Sequence, residues 1–106
     1  MGKYLFEIRI TAVGAGLVPR RLGAGFDSSL RDVITQAGGT VDSLYFALGD
    51  TDCFVIAELA SLATAAAVAA VIVTGTHATV RTVALFEPVE IDIELIKGWT
   101  WRPPGT

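Results

Sequence analysis

The chain is poor in charge and nearly free of cysteine and histidine. Asp, Glu, Lys and Arg make up 18% of its 106 residues, against about 25% in an average globular domain. Cys53 is the sole cysteine, which excludes an intrachain disulfide and a Cys-based zinc site and fits a reducing cytoplasm. His77 is the sole histidine, and no His-x-His or Glu-x-x-His spacing is present to hold a metal. No metal and no cofactor are expected. The formal net charge is −3 and the basic residues are scattered, so no face concentrates the cations that a nucleic-acid partner requires. Arg20-Arg21 is the only adjacent basic pair, and a solvated helix start explains it. No run reaches the roughly 18 apolar residues of a membrane span. Leu59–Val73 comes nearest, but it is alanine-rich and holds Ser61 and Thr64, as a buried helix would. A strand starting at Lys3 leaves no room for a signal peptide, and Phe6 stands where a myristoylation signal needs Ser or Thr. The expectation is a cytoplasmic protein with no nucleic-acid or membrane partner.

What the chain has in excess is apolar side chains, 52% of the residues. A chain of this length forms one domain with a single modest core. So small a monomer has little interior in which to hide that much apolar surface. A partner subunit is therefore expected, most simply in a symmetric homodimer. An alanine-rich helix accounts for part of the excess.

Periodicity supplies the fold. Lys3–Thr11 alternates, with Tyr4, Phe6, Ile8 and Ile10 on one face and Leu5, Glu7 and Arg9 on the other, as a half-buried strand does. A glycine-rich connection, Gly14–Gly25, holds Pro19 and leads to a helix. Asp27 or Ser28 is its expected cap, Leu30, Val33, Ile34 and Ala37 its apolar stripe, and Gly38-Gly39 its end. Within Val41–Leu59, two apolar and β-branched runs flank Gly49-Asp50-Thr51-Asp52. This reads as a tight hairpin, with a left-handed glycine and carboxylates bonded to the turn's own amides. A second helix is expected from Ser61 to Thr74, stopped by Gly75, and a fourth strand over Ala78–Glu87. The order predicts an α+β, ferredoxin-like βαββαβ fold: a four-stranded antiparallel sheet with two helices on one face. Val89–Leu95 alternates like a strand, although Pro88 and Glu90 also suit a helix start. Trp99 and Trp101 have no place in a four-stranded core and are expected to cover a groove or dock on a neighbouring subunit.

Gly38-Gly39, the hairpin and the alanine-rich helix after it resemble the GYD-domain family, small bacterial proteins placed among the dimeric α+β barrels. KYLFEIRIT-A and RTVALFEP are similar to that family's first and last strands, so the resemblance covers residues 3–90. The namesake Gly-Tyr-Asp stands here as Gly49-Asp50-Thr51-Asp52. Gly49 and Asp52 carry over and the aromatic does not. Gly25-Phe26-Asp27 stands where the family's first helix often carries basic residues. The resemblance implies the fold and a homodimer, a dimeric α+β barrel in which two open sheet faces pack on each other. It implies no reaction, the family's activity being generally unassigned. Residues 91–106 then form a tail engaged in dimer or groove contacts.

The candidate site follows from strand parity. If helices cover the Tyr4, Phe6 and Ile8 face, the open face presents Glu7 and Arg9, together with Phe54, Ile56, Glu58 and Arg81. In ferredoxin-like order the first strand lies between the third and fourth. Glu7, Arg9, Glu58 and Arg81 are therefore expected to converge, walled by Phe54 and Tyr45. Such a cluster can orient a small organic ligand, with arginine opposing oxyanion charge and a desolvated carboxylate moving a proton. It can equally be two cross-strand salt bridges that neutralise one another at an interface, and the balanced charges favour this. His77, at a helix-to-strand junction, is the remaining ligand-binding candidate. A general base, or an axial haem ligand as in some barrels of the resembled superfamily, is weighed there against a plain loop residue, which is preferred. Cys53 reads as a small buried hydrophobe, and Asp50 and Asp52 as turn residues. Gly14-Ala15-Gly16 lacks the rest of a nucleotide loop; its looseness suggests a flap beside the barrel mouth. The favoured function is a small homodimeric barrel that binds a modest organic molecule or serves as an accessory protein. The alternatives are a cofactor-independent oxygenase- or isomerase-type enzyme, and a purely structural dimer with no cavity.

Overall fold

The computed structural model describes residues 1–10, 22–76, 78–90, 100 and 102–105. Strand β1 (Gly2–Ile10) leads to helix α1 (Leu22–Gln36), then to hairpin strands β2 (Thr40–Phe46) and β3 (Cys53–Leu59). Helix α2 (Leu62–Thr76), strand β4 (Ala78–Leu85) and a single helical turn, α3 (Pro88–Glu90), complete the order. The sheet order is β2-β3-β1-β4 and every pairing is antiparallel. This is the ferredoxin-like α+β arrangement expected from the pattern.

Alternation decides which face is buried. Tyr4, Phe6 and Ile8 of β1 and Cys53, Val55, Ala57 and Leu59 of β3 point into one core with Phe26, Leu30 and Ile34 of α1 and Ala65, Val68 and Ile72 of α2. Both helices therefore lie on the same side of the sheet. Each large apolar side chain removed from water there stabilises the fold by about 1.5–3 kcal/mol. Nothing charged is buried among the described residues. No helix among them is long and apolar enough to cross a membrane.

Helix α1 begins a full turn before the expected cap. Asp27 sits inside it and accepts hydrogen bonds from Arg31 Nε at 3.0 and 3.2 Å. The reason is Phe26, which the early start buries and sets edge-to-face on Phe46, ring centroids 6.4 Å apart. Burying a phenyl ring outweighs the roughly 1 kcal/mol that each helical glycine, Gly23 or Gly25, costs. The helix ends at the glycine pair as expected. Gly38 has φ of 81°; its N–H donates to the Thr35 carbonyl and that of Gly39 to the Ile34 carbonyl, both at 2.9 Å, which is a Schellman cap. Gly39 has a second constraint: a Cβ there would lie 2.5 Å from the Glu58 carbonyl oxygen.

Helix α2 is capped by Ser61, whose Oγ accepts the Thr64 N–H at 3.2 Å. It does not stop at Gly75 but runs to Thr76, because a glycine ends a helix only where it turns left-handed, and Gly75 does not. The hairpin connection is also longer than a tight turn. It spans Ala47–Asp52 and is closed by the Ala47 N–H on the Asp52 carbonyl at 2.9 Å. Gly49 does not take a left-handed backbone. After β4, Glu87 precedes the α3 turn, and Glu90 Oε2 accepts the Glu87 N–H at 3.4 Å, so the ambiguous tail begins as a helix. Residues 91–99, with Trp99, and Trp101 lie outside the described residues.

Cys53 is fully buried, and that burial raises its thiol pKa to about 11. The unfolded thiol ionises near 9.0, so its contribution to stability is complete below that pH and is lost as pH climbs through about 11. A thiol reagent at pH 8 is expected to modify the native protein no faster than the chain unfolds, and to react at once in denaturant. Gly39→Ala is expected to destabilise the protein by about 1–3 kcal/mol in urea titration, since the new methyl meets backbone and Leu59 rather than space.

Candidate functional site

The sheet surface opposite the helices is the candidate site, and strand register arranges it in rows. One row runs Tyr45, Phe54, Glu7, Arg81 across β2, β3, β1 and β4. The next runs Ser43, Ile56, Leu5, Val83, and the one beyond it Thr40, Glu58, Lys3, Leu85. Arg9 and Thr79 stand opposite one another at the other end. Among these, Leu5, Phe54, Ile56 and Val83 are half-buried while Arg9, Tyr45 and Arg81 are exposed. The parity assignment of Glu7, Arg9, Phe54, Ile56, Glu58 and Arg81 to this face agrees with the structure.

Their convergence does not. Glu7 and Arg81 are cross-strand partners and form an ion pair, Nε to Oε2, at 3.6 Å. Glu58, however, faces Lys3, four positions from Glu7 along β1, or ~13 Å at ~3.3 Å per residue. The antiparallel register sets this separation, and strand order alone could not show it. The face therefore carries two polar groups separated by the apolar row of Leu5, Ile56 and Val83. The first is the Glu7–Arg81 pair beside Phe54 and Tyr45, with Arg9 beyond. In it the carboxylate is held in an ion pair rather than offered as a free base, and the guanidinium, 81% exposed, can meet an anion.

The second group was not anticipated. Lys3 Nζ reaches across β3 to Asp42 Oδ2 at 3.0 Å, with Glu58 alongside. The hydrogen bond and charge of Asp42, aided by Glu58 and Glu87, push the Lys3 ammonium pKa above its ordinary value. Its contribution is therefore complete below about 10.5 and is lost as pH rises through the raised value. A register shift between Val41 and Ser43 adds one residue to β2, so Asp42 and Ser43 both fall on the open side while Val41 and Leu44 pack inward. No turn or glycine signal marks this bulge. The break in alternation between Val41 and Leu44 is its only trace in the sequence.

Asp52 holds the hairpin to β1 rather than capping its own turn. Its Oδ2 accepts the Ile10 N–H at 2.7 Å while its own N–H donates to the Ile8 carbonyl at 2.9 Å. Asp50 is exposed. His77 and the segment 11–21, which includes most of the expected flap, lie outside the described residues. Among those described, no group of His, Cys, Asp or Glu is arranged to hold a metal. A concavity of about 190 Å³ at the start of β1 is lined by Lys3, Glu58, Glu87 and Glu90; other concave spaces lie between the helices. One groove of about 250 Å³ is lined by Phe26, Leu30, Val33, Val71 and Ile72, and a wider one continues along Val33, Ala67 and Val71. These have no charged lining and little to orient a reaction.

Asp52→Ala removes the acceptor for the Ile10 amide. The expected cost is about 1.5–3 kcal/mol, the range for a hydrogen bond to a charged group. Amide exchange should accelerate at Ile10 while the centre of β1 stays protected.

No curated protein and no solved structure matches the chain significantly. The family model described as the GYD domain matches residues 4–93. That match runs from β1 past α3 and takes in the hairpin with Gly49 and Asp52, so the chain belongs to the GYD domain family.

Proposed function

We propose that the protein is a homodimer in which two open sheet faces pack together as an α+β barrel and hold a small organic molecule between them, or serve as an accessory protein through that chamber. The observation that carries this reading is the row of Leu5, Ile56 and Val83. These half-buried apolar chains cross the middle of a face that nothing among the described residues covers. A face of that composition gains by exchanging water for a second copy of itself. The Glu7–Arg81 pair, Arg9 and the rings of Phe54 and Tyr45 would line the chamber and suit a ligand with an apolar body and an anionic end. The tail beyond Glu90 is assigned to dimer or groove contacts, and a cytoplasmic setting agrees with the single cysteine.

A cofactor-independent oxygenase or isomerase is a second reading. It draws on Glu58, which is half-buried and in no ion pair among the described residues, as a proton-moving carboxylate would be. A dry interface without a chamber is the third.

Native mass spectrometry of freshly purified protein tests the first reading, because it reports subunit number and any retained small molecule together. A dimer carrying bound mass is expected, and a bare monomer would overturn the proposal. Leu5→Glu or Ile56→Asp buries charge at the centre of the interface. Either should shift the protein to monomer at micromolar concentration while far-UV circular dichroism stays unchanged.

A further inference from the structure

Six charged side chains stand on the open face: Lys3, Glu7 and Arg9 on β1, Asp42 on β2, Glu58 on β3 and Arg81 on β4. Four of them are matched within the chain, as Lys3–Asp42 and Glu7–Arg81. Among the described residues, Arg9 and Glu58 form no ion pair. They stand at opposite ends of the face, since Glu58 pairs in register with Lys3, six positions from Arg9 along β1. At ~3.3 Å per residue and ~4.8 Å between strands, that places them ~20 Å apart along the strands and one strand apart across them. The exposed cation of Arg9 and the half-buried carboxylate of Glu58 cannot meet in one subunit.

We infer that in the homodimer Glu58 of each subunit pairs with Arg9 of the partner subunit, and that these two equivalent pairs fix how the faces are rotated on one another. The inference rests on the homodimer proposed above. A two-fold axis lying between the faces, through the midpoint of the line from Glu58 to Arg9, closes both pairs at once. That midpoint falls among Ile56, Leu5, Phe54 and Glu7, the centre of the face, so the apolar row is covered by the same rotation. The axis is tilted ~13° from the perpendicular to the strands, the angle whose sides are ~4.8 and ~20 Å. Strands of the two sheets then cross at about twice that, ~27°, within the roughly 30° that aligned sheets keep. An axis along the strands would instead set Arg9 beside Arg9 and Glu58 beside Glu58. Charges at the ends of an apolar patch act chiefly by rejecting the wrong orientation.

Charge exchange on the full chain, followed by analytical ultracentrifugation, tests this. Glu58→Arg alone, or Arg9→Glu alone, places like charges at both contacts. Each should raise the homodimer Kd by about a hundredfold or more. Mixing the two variants places opposite charges at both contacts and should yield a heterodimer within about tenfold of wild-type affinity. A chain carrying both changes should regain the homodimer, which a misfolded or generally weakened chain would not do. If the wild type is a dimer and either single variant dimerises unchanged, or the mixture assembles no better than its components, the pairing is overturned and the homodimer stands. A wild-type chain that sediments as a monomer overturns both.

Discussion

A β-sheet has two faces, and among the described residues α1 and α2 cover the same one. β1 and β3 alternate with a period of two, so every residue that improves the core sets a neighbour on the other side. The buried set is Tyr4, Phe6, Ile8, Cys53, Val55, Ala57 and Leu59. The opposite set contains Leu5, Phe54, Ile56 and Val83 where a solvated sheet would carry polar residues. The choice of site and the proposed assembly both follow from that one imbalance.

Elements whose signals are local were legible in the sequence. Alternation marked β1 and β3 nearly to the residue, Ser61 marked the start of α2, and Gly38-Gly39 marked the end of α1 through a left-handed turn and a close approach to β3. The face assignment of Glu7, Arg9, Glu58 and Arg81 was legible too, because it follows from parity. What could not be read was distance along the strands. Register depends on which residues pair over long separations, so Glu58 joined Lys3 rather than Arg81. The Lys3–Asp42 bridge needed both that register and the bulge. Phe26 extended α1 past its apparent cap because of a ring on β2, a contact invisible to any helical window.

The two helices pack on the sheet more closely than on each other. α2 lies chiefly along β4 and α1 along β2, with the uncharged groove between the two helices. Helix α2 carries no ionisable residue from Leu62 to Thr76, and Leu62, Val71 and Val73 remain outward. A helix apolar all round is normally interior; this one leaves those three side chains exposed.

The extra residue in β2 also acts at the margin of the sheet. Among the described residues β2 and β4 are its two outer strands, and a regular outer strand offers a row of unpaired amides and carbonyls to any extended peptide. At Asp42 the β2 ladder breaks step and carries a carboxylate, whereas β4 runs its length against β1 without interruption. Irregularity and charge make β2 a poor template for strand addition. Runaway stacking of subunits edge to edge is thus resisted on that margin by a local defect in the ladder, and the smooth margin along β4 is the one that needs cover from elsewhere.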